Sequence, residues 1–303
     1  MTFGDFNYIC NQTALPLCQV VSFTKPTDYQ HLNNGIVPIC YARSIELANT
    51  VIFQIGNAFA NIAGLGVFLI IIYHIRSKYT AIGRLEMLFY YNLLLALNVC
   101  SLVVDCGVSP PGSKSYPYLV AVQLGLISAS CWALMICGLL GFRIWEDGTK
   151  RSMWFIRLSS FAYGGLTFII SLLTFQDWIK NGTLDRSNTM GLFVLSYLFN
   201  AILLATFIVC QTLLAIFLIK NYWVIGVIAL VVISFVAGQV ILYGFSRQIC
   251  ENVKHYLDGL FFASLCNIFA NMMLYKFWDM TTDDDLEFSI SINEDGDVLY
   301  ADK

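Results

Sequence analysis

Residues 223–245 read WVIGVIALVVISFVAGQVILYGF, 23 positions without a charged side chain. A bilayer core of ~30 Å is crossed by about 20 apolar helical residues. Lipid offers backbone groups no partner, so such a run must satisfy its own N–H and C=O groups as a helix. The ten-residue alternating segments of a membrane barrel are missing. Six more stretches qualify by the same reading, at about 48–73, 87–104, 118–142, 154–176, 190–219 and 256–278. The expected fold is an all-α membrane protein, a seven-transmembrane-helix bundle over 47–278. It lies between an N-terminal segment, 1–46, and an acidic tail, 279–303.

Composition agrees with this reading. Apolar residues are 58% of the 303, against about 45–50% in soluble domains. Charged residues are 12%, where a water-covered surface uses roughly 25%. An ordinary soluble enzyme and a disordered chain are both excluded. A net charge of −3 leaves no footprint for nucleic acid.

Orientation follows from basic residues near the span ends. Arg76, Lys78, Arg84, Arg143, Lys150, Arg151, Arg157, Lys220 and Lys276 fall on one side, and Arg43, Lys114, Lys180, Arg186, Arg247 and Lys254 on the other. The richer side is read as cytosolic. The N-terminus is then lumenal and the C-terminus cytosolic. The start, MTFGDFNYIC, lacks a basic stretch followed by an apolar one, so the first span is expected to carry the N-terminal segment across.

Sequons and cysteines fit that arrangement. Asn11-Gln12-Thr13 and Asn181-Gly182-Thr183 both fall on the lumenal side and make Asn11 and Asn181 candidate glycosylation sites. Cys10, Cys18, Cys40, Cys106 and Cys250 lie at or beyond lumenal ends, where an oxidising compartment permits disulfides. Five thiols allow two bridges and one free cysteine, and sequence leaves the connectivity open. Cys100, Cys131, Cys137, Cys210 and Cys266 lie within spans and read as small packing residues.

Helices in lipid associate through close backbone approach and polar side chains. Gly56, Ala60 and Gly64 form a row on the first span, and Gly125, Ala129, Ala133, Cys137 and Gly141 one on the third. Gly259, Ala263, Asn267 and Asn271 form another on the seventh. Asn57, Asn61, Gln123, Asn200, Gln211 and Gln239 add polar groups within spans, read either as interhelical hydrogen bonds or as a polar pathway for a substrate. Glu86, Asp105, Asp258, His74 and His255 sit near span ends, not at mid-depth as a proton or ion path would need.

No catalytic, cofactor-binding or metal set emerges. HExxH and G-x-S-x-G are both missing. His255 and Asp258, joined by Asp105 and a cysteine, could mimic a metal site, but an interfacial hydrogen-bond network is the commoner use of such residues. The tail holds nine acidic residues against Lys303. It reads as a solvated acidic segment, or as a hairpin in which LEFSISI (286–292) alternates and Asn293–Asp297 turns. In the second case Leu286, Phe288, Ile290 and Ile292 would add to a partner's sheet edge. Asp285-Leu286-Glu287, after Asp283 and Asp284, also has the D-x-E form read by vesicle coat adaptors.

Five stretches carry a resemblance: CYARSIELANTVIF (40–53), VVDCGVSPPGS (103–113), GFRIWEDGT (141–149), KHYLDGLFF (254–262) and KFWDMTTDDDLEFS (276–289). The chain resembles the fungal chitin synthase export chaperones nearly end to end. The resemblance implies seven spans in the endoplasmic reticulum membrane, no catalysis, no cofactor, and a chitin synthase as the partner that is helped to leave that compartment. On this view the small-residue and Asn rows would cover polar groups that an unassembled synthase exposes to lipid. The rival readings are a seven-span receptor, a stable activating subunit and a lipid-active hydrolase.

Overall fold

The computed structural model describes residues 4–22, 35–47, 50–79, 81–142, 148–176, 186 and 188–294, with 46, 47, 50, 51, 218 and 283–294 as backbone alone. Among them, seven helices are long and apolar enough to cross a membrane. A short α1 (Asn7–Gln12) precedes these. The spans are α2 (Ile55–Ser77), α3 (Arg84–Asp105), α4 (Tyr116–Leu140), α5 (Lys150–Gln176), α6 (Met190–Phe217), α7 (Tyr222–Asn252) and α8, whose membrane part is Gly259–Thr282. The side holding the N-terminal arm is called the arm face here, and the opposite side the tail face.

The first span starts at Ile55, not near 48. The residues before it form a hairpin of β1 (Ile45–Leu47) and β2 (Thr50–Ile52), with Ile45 opposite Ile52. Thr50, Val51 and Ile52 are apolar enough to extend a hydropathy run, yet their branched Cβ atoms suit an extended backbone. A second correction concerns the tail. Helix α8 continues to Glu294, so the alternation over 286–292 lies on helical backbone and not in a strand. Extending a formed helix needs no new nucleus, whereas a lone hairpin is marginal. Residues 298–300, Val-Leu-Tyr, which the hairpin reading needs as its second strand, lie outside the described residues.

Local signals set several helix ends. Gly83, at φ 67°, opens α3. Asn221 accepts a hydrogen bond from the Trp223 N–H at the start of α7. Asp258 accepts from the Phe261 N–H at the start of α8. Wider π turns interrupt α6 at Val194–Phe199, occur again at Leu214–Ile219, and interrupt α7 at Ile241–Phe245.

Helix α4 packs against α3, α5 and α6, while α8 lies between α2 and α7. Helices α6 and α7 touch each other far less. The closest seam joins α4 and α5. A Cβ on Gly125 would stand 2.9 Å from the Gly164 carbonyl oxygen, and one on Gly164 would stand 2.8 Å from the Gly125 oxygen. Only two glycines allow backbones this near. Ala129 and Ala133 continue the same buried row.

The arm folds onto its face of the bundle. Phe6, Leu17, Val21 and Ile36 pack with Val104, Val120, Phe175 and Leu192 in one buried cluster. A disulfide joins Cys10 to Cys18 within the arm. The Gln54 side chain donates to the Ala14 carbonyl at 2.6 Å and the Tyr116 hydroxyl to the Pro16 carbonyl at 3.2 Å. On the tail face Asp279 is buried and receives hydrogen bonds from Lys78 and Lys276.

Gly125→Leu is expected to abolish a monodisperse folded peak on size-exclusion chromatography in detergent. Gly226→Leu, at a glycine with nothing within 4 Å of its Cβ position, is expected to elute as the unmodified protein.

Candidate functional site

The most concentrated polar chemistry inside the bundle lies at the arm-face ends of α2, α3 and α8. Asn57 and Asn61 are one turn apart on α2, so both amides face the same neighbour. Both donate to one Asp105 carboxylate oxygen, at 2.6 and 2.7 Å. The Asn57 carbonyl accepts from the Ser264 hydroxyl at 2.5 Å, which brings in α8. In the orientation that satisfies its surroundings, the Asn98 amide donates to the Asn61 side-chain oxygen at 3.0 Å and accepts from the Leu65 N–H at 3.3 Å. The Asp105 carbonyl receives the Phe53 N–H at 3.2 Å, joining the hairpin to the network. Asp105 is 3% exposed. A carboxylate this covered is tolerated because fixed amide donors meet it.

Gln123, Gln211, Asn200 and Asn271 are also used between or along helices. Gln123 donates to the Ser101 hydroxyl at 2.9 Å, and Gln211 to the Gly138 carbonyl at 2.9 Å. Asn200 accepts from the Tyr163 hydroxyl at 2.9 Å and donates to Ser128 at 3.2 Å. Asn271 accepts from the Tyr90 hydroxyl at 2.8 Å and donates to the Asn267 carbonyl at 2.8 Å. The small-residue rows lie inside as well. A Cβ on Gly56 would meet Leu257 and Phe261, one on Gly64 would meet Asn98 and Ile268, and one on Gly259 would meet Ser246. Ala60 and Ala263 are buried. Gly56, Ala60, Gly64, Gly125, Ala129, Ala133, Gly259 and Ala263 therefore pack this chain's own helices together, while Cys137, Asn267 and Asn271 are half-buried and Gly141 is exposed.

A covalent clasp closes the arm face. Cys40 is joined to Cys250, with Cα atoms 6.1 Å apart, tying the arm to the α7–α8 turn. The Arg43 N–H donates to the His255 carbonyl at 2.8 Å, and the His255 Nδ1 lies 3.2 Å from the Tyr41 carbonyl. Lys254 and His255 both take left-handed backbone angles, φ 54° and 66°, and the bridge and these hydrogen bonds hold the turn in that shape. Cys40, Cys250 and His255 are the one cluster with metal-ligand spacing among the described residues. Its sulfurs are bonded to each other, so they are not thiolate ligands. His255, Asp258 and Asp105 do not converge on one point as a metal set would. Asp258 caps α8 through one oxygen while its other oxygen is buried without a partner. Burial pushes its carboxyl above the usual carboxylate range.

Cys106 is a free thiol. Burial pushes that thiol up, and the neighbouring Asp105 charge adds to the shift. Asn11 is half-buried on α1, with Thr13 of its sequon fully covered. Asn181 and His31 lie outside the described residues. Asp283, Asp284, Asp285, Leu286, Glu287, Phe288, Ile290 and Ile292 are on the helical extension of α8, with only their backbone described.

Two features escaped the sequence reading. One is the convergence of Asn57 and Asn61 on Asp105, signalled by an Asn pair at i and i+4 and a carboxylate at the same end of the bundle. The other is Glu86, which is 0% exposed and accepts from the Gly148 N–H at 2.9 Å and the Ser152 hydroxyl at 3.1 Å. Nothing in the spacing of 86 and 152 announces that meeting.

A profile of the family described as chitin synthase export chaperone matches residues 2–292. A protein of that name from Candida glabrata is 56% identical, over 99% of this chain and 100% of its own length. One from Saccharomyces cerevisiae is 54% identical over 99% and 98%, and one from Candida albicans 54% identical over 98% and 96%. No solved structure matches the chain.

Asp105→Ala leaves two amide donors without their acceptor, at about 1–3 kcal/mol for each buried group. Thermal unfolding in detergent should show a clear loss of stability, with Asp105→Asn milder because one acceptor oxygen remains. Maleimide labelling of Cys106 is expected to be slow at neutral pH and to accelerate as the pH is raised beyond the ordinary thiol range. Thiolate forms later at this half-buried position than at an open cysteine, so rapid labelling at neutral pH would contradict the upward shift.

Proposed function

The chain belongs to the chitin synthase export chaperone family, and we propose that it binds a polytopic chitin synthase in the endoplasmic reticulum membrane and enables its exit towards the cell surface. The single observation that carries this reading is the match over residues 2–292, which takes in the arm, all seven spans and the start of the tail. The family's work is that of a chaperone and not of an enzyme. A bundle whose interior polar groups largely pair with one another suits a protein that offers surface to another protein.

In this reading the arm face is lumenal. Both disulfides lie there, as an oxidising compartment would require, and the basic residues favour the tail face as cytosolic. The client surface is assigned to α6 and α7. Only 22% and 17% of their apolar windows are buried within the chain, against 50% for α2 and α4; α8 is also at 22%, but it is flanked by α2 and α7. Gly226 on α7 has open space at its Cβ position, and a mid-helix glycine there is useful chiefly where another backbone comes close. A synthase span laid on this face would cover apolar and hydrogen-bonding groups before the enzyme is fully assembled. The extension beyond Thr282, with Asp285-Leu286-Glu287, is the segment proposed to be read by coat adaptors.

Locating a tagged synthase in cells tests the proposal. Deleting the gene should retain the synthase in the endoplasmic reticulum, while normal surface delivery with lost chitin would make the protein an activating subunit instead. Removing 283–303 spares the buried Asp279 and Thr282. It should slow exit while leaving the synthase recoverable with the protein in a detergent pull-down, and unchanged exit would remove the tail from the mechanism.

A further inference from the structure

A cavity of about 680 Å³ opens near the tail face between α3, α4, α6 and α8. Its walls are mostly apolar, with Met87, Leu134, Phe207 and Leu274 among them, and Gln211, Thr281 and Thr282 add polar groups. It runs from Thr282 back to Leu274 on α8 and from Gly141 back to Leu134 on α4. At 1.5 Å per residue that is a depth of about 10 Å, most of one leaflet of a ~30 Å core. Two groups of opposite charge line it, Glu86 and Lys220. Glu86 is fully buried, both of its hydrogen bonds go to Oε1, and Oε2 has no partner. A carboxylate oxygen buried without a partner is costly, and a bound donor offsets that cost.

We propose that this cavity binds an aminophospholipid, with the primary amine on Glu86 Oε2, the phosphate towards Lys220 and one acyl chain running between α4, α6 and α8. The volume lies within the range of small-molecule sites, whereas a helix about 10 Å across does not fit. Head-level charge above an apolar shaft matches the order of polarity along a lipid. The chain's own tail is a poor occupant, because Asp283, Asp284, Asp285 and Glu287 carry the same sign as Glu86. A choline head lacks the N–H that Oε2 requires, so the site discriminates between the two common zwitterionic heads. The assignment is independent of the client proposal.

The full chain in phosphatidylcholine nanodiscs, doped with photoactivatable phosphatidylethanolamine or with photoactivatable phosphatidylcholine, provides the test. Peptide mapping should place the ethanolamine probe on segments bearing Leu134 and Phe207, well above the choline probe. Glu86→Gln keeps an acceptor for Gly148 and Ser152 but loses the charge, and should reduce that labelling about tenfold. Leu134→Trp fills the shaft without touching Glu86 and should reduce it as well, while Glu251→Gln on the arm face leaves it unchanged. Equal labelling by both probes in the unmodified protein overturns the proposal even if a variant fails to fold. So does labelling that persists in both variants.

Discussion

Lipid supplies no hydrogen bonds, and this one deficit governs the molecule. Every polar group inside the bundle has to find its counterpart in the chain or carry the cost of having none. Asp105 is met by two asparagines, and Asn200, Gln211 and Asn271 each reach a neighbouring helix. These contacts fix which helices are neighbours and in what register. Close packing follows, with Gly125 and Gly164 bringing α4 and α5 to backbone contact. The exceptions among the described residues include Trp132, Ser160 and Ser196 within spans and one oxygen each of Glu86 and Asp258 near span ends.

The bundle is unevenly built. Helices α2 to α5 wrap one another closely; α8 buries less of its surface, and α6 and α7 also keep much of theirs for the bilayer. The same two helices hold the three π turns. Wider turns re-aim side chains and interrupt the regular ladder, and they are common where a helix has a task beyond packing. Sparse self-burial and irregular winding thus coincide on the side assigned to the client.

Much of the architecture was legible in the sequence, because a run such as 223–245 has few other physical fates. The number of spans and the small-residue rows follow from length and spacing alone. What the rows touch did not follow. Gly64 could have faced lipid, a client or Asn98, and only the three-dimensional arrangement selects Asn98 and Ile268. The hairpin at 45–52 was absorbed into the first span because hydropathy counts Val51 and Ile52 as membrane residues whatever their backbone. The family resemblance was readable from uncommon strings such as VVDCGVSPPGS, but the pairing of Cys40 with Cys250 rests on a separation of 210 residues that no local pattern encodes.

That long-range bond orders the birth of the protein. Cys40 leaves the ribosome early, yet its partner exists only after six spans have been made. Until then the N-terminal segment waits beside an unfinished bundle, and closing the clasp registers that the sixth span has been threaded in the right direction. The bridge is thus a record that six of the seven spans are in place, written by the sixth onto the segment that precedes the first.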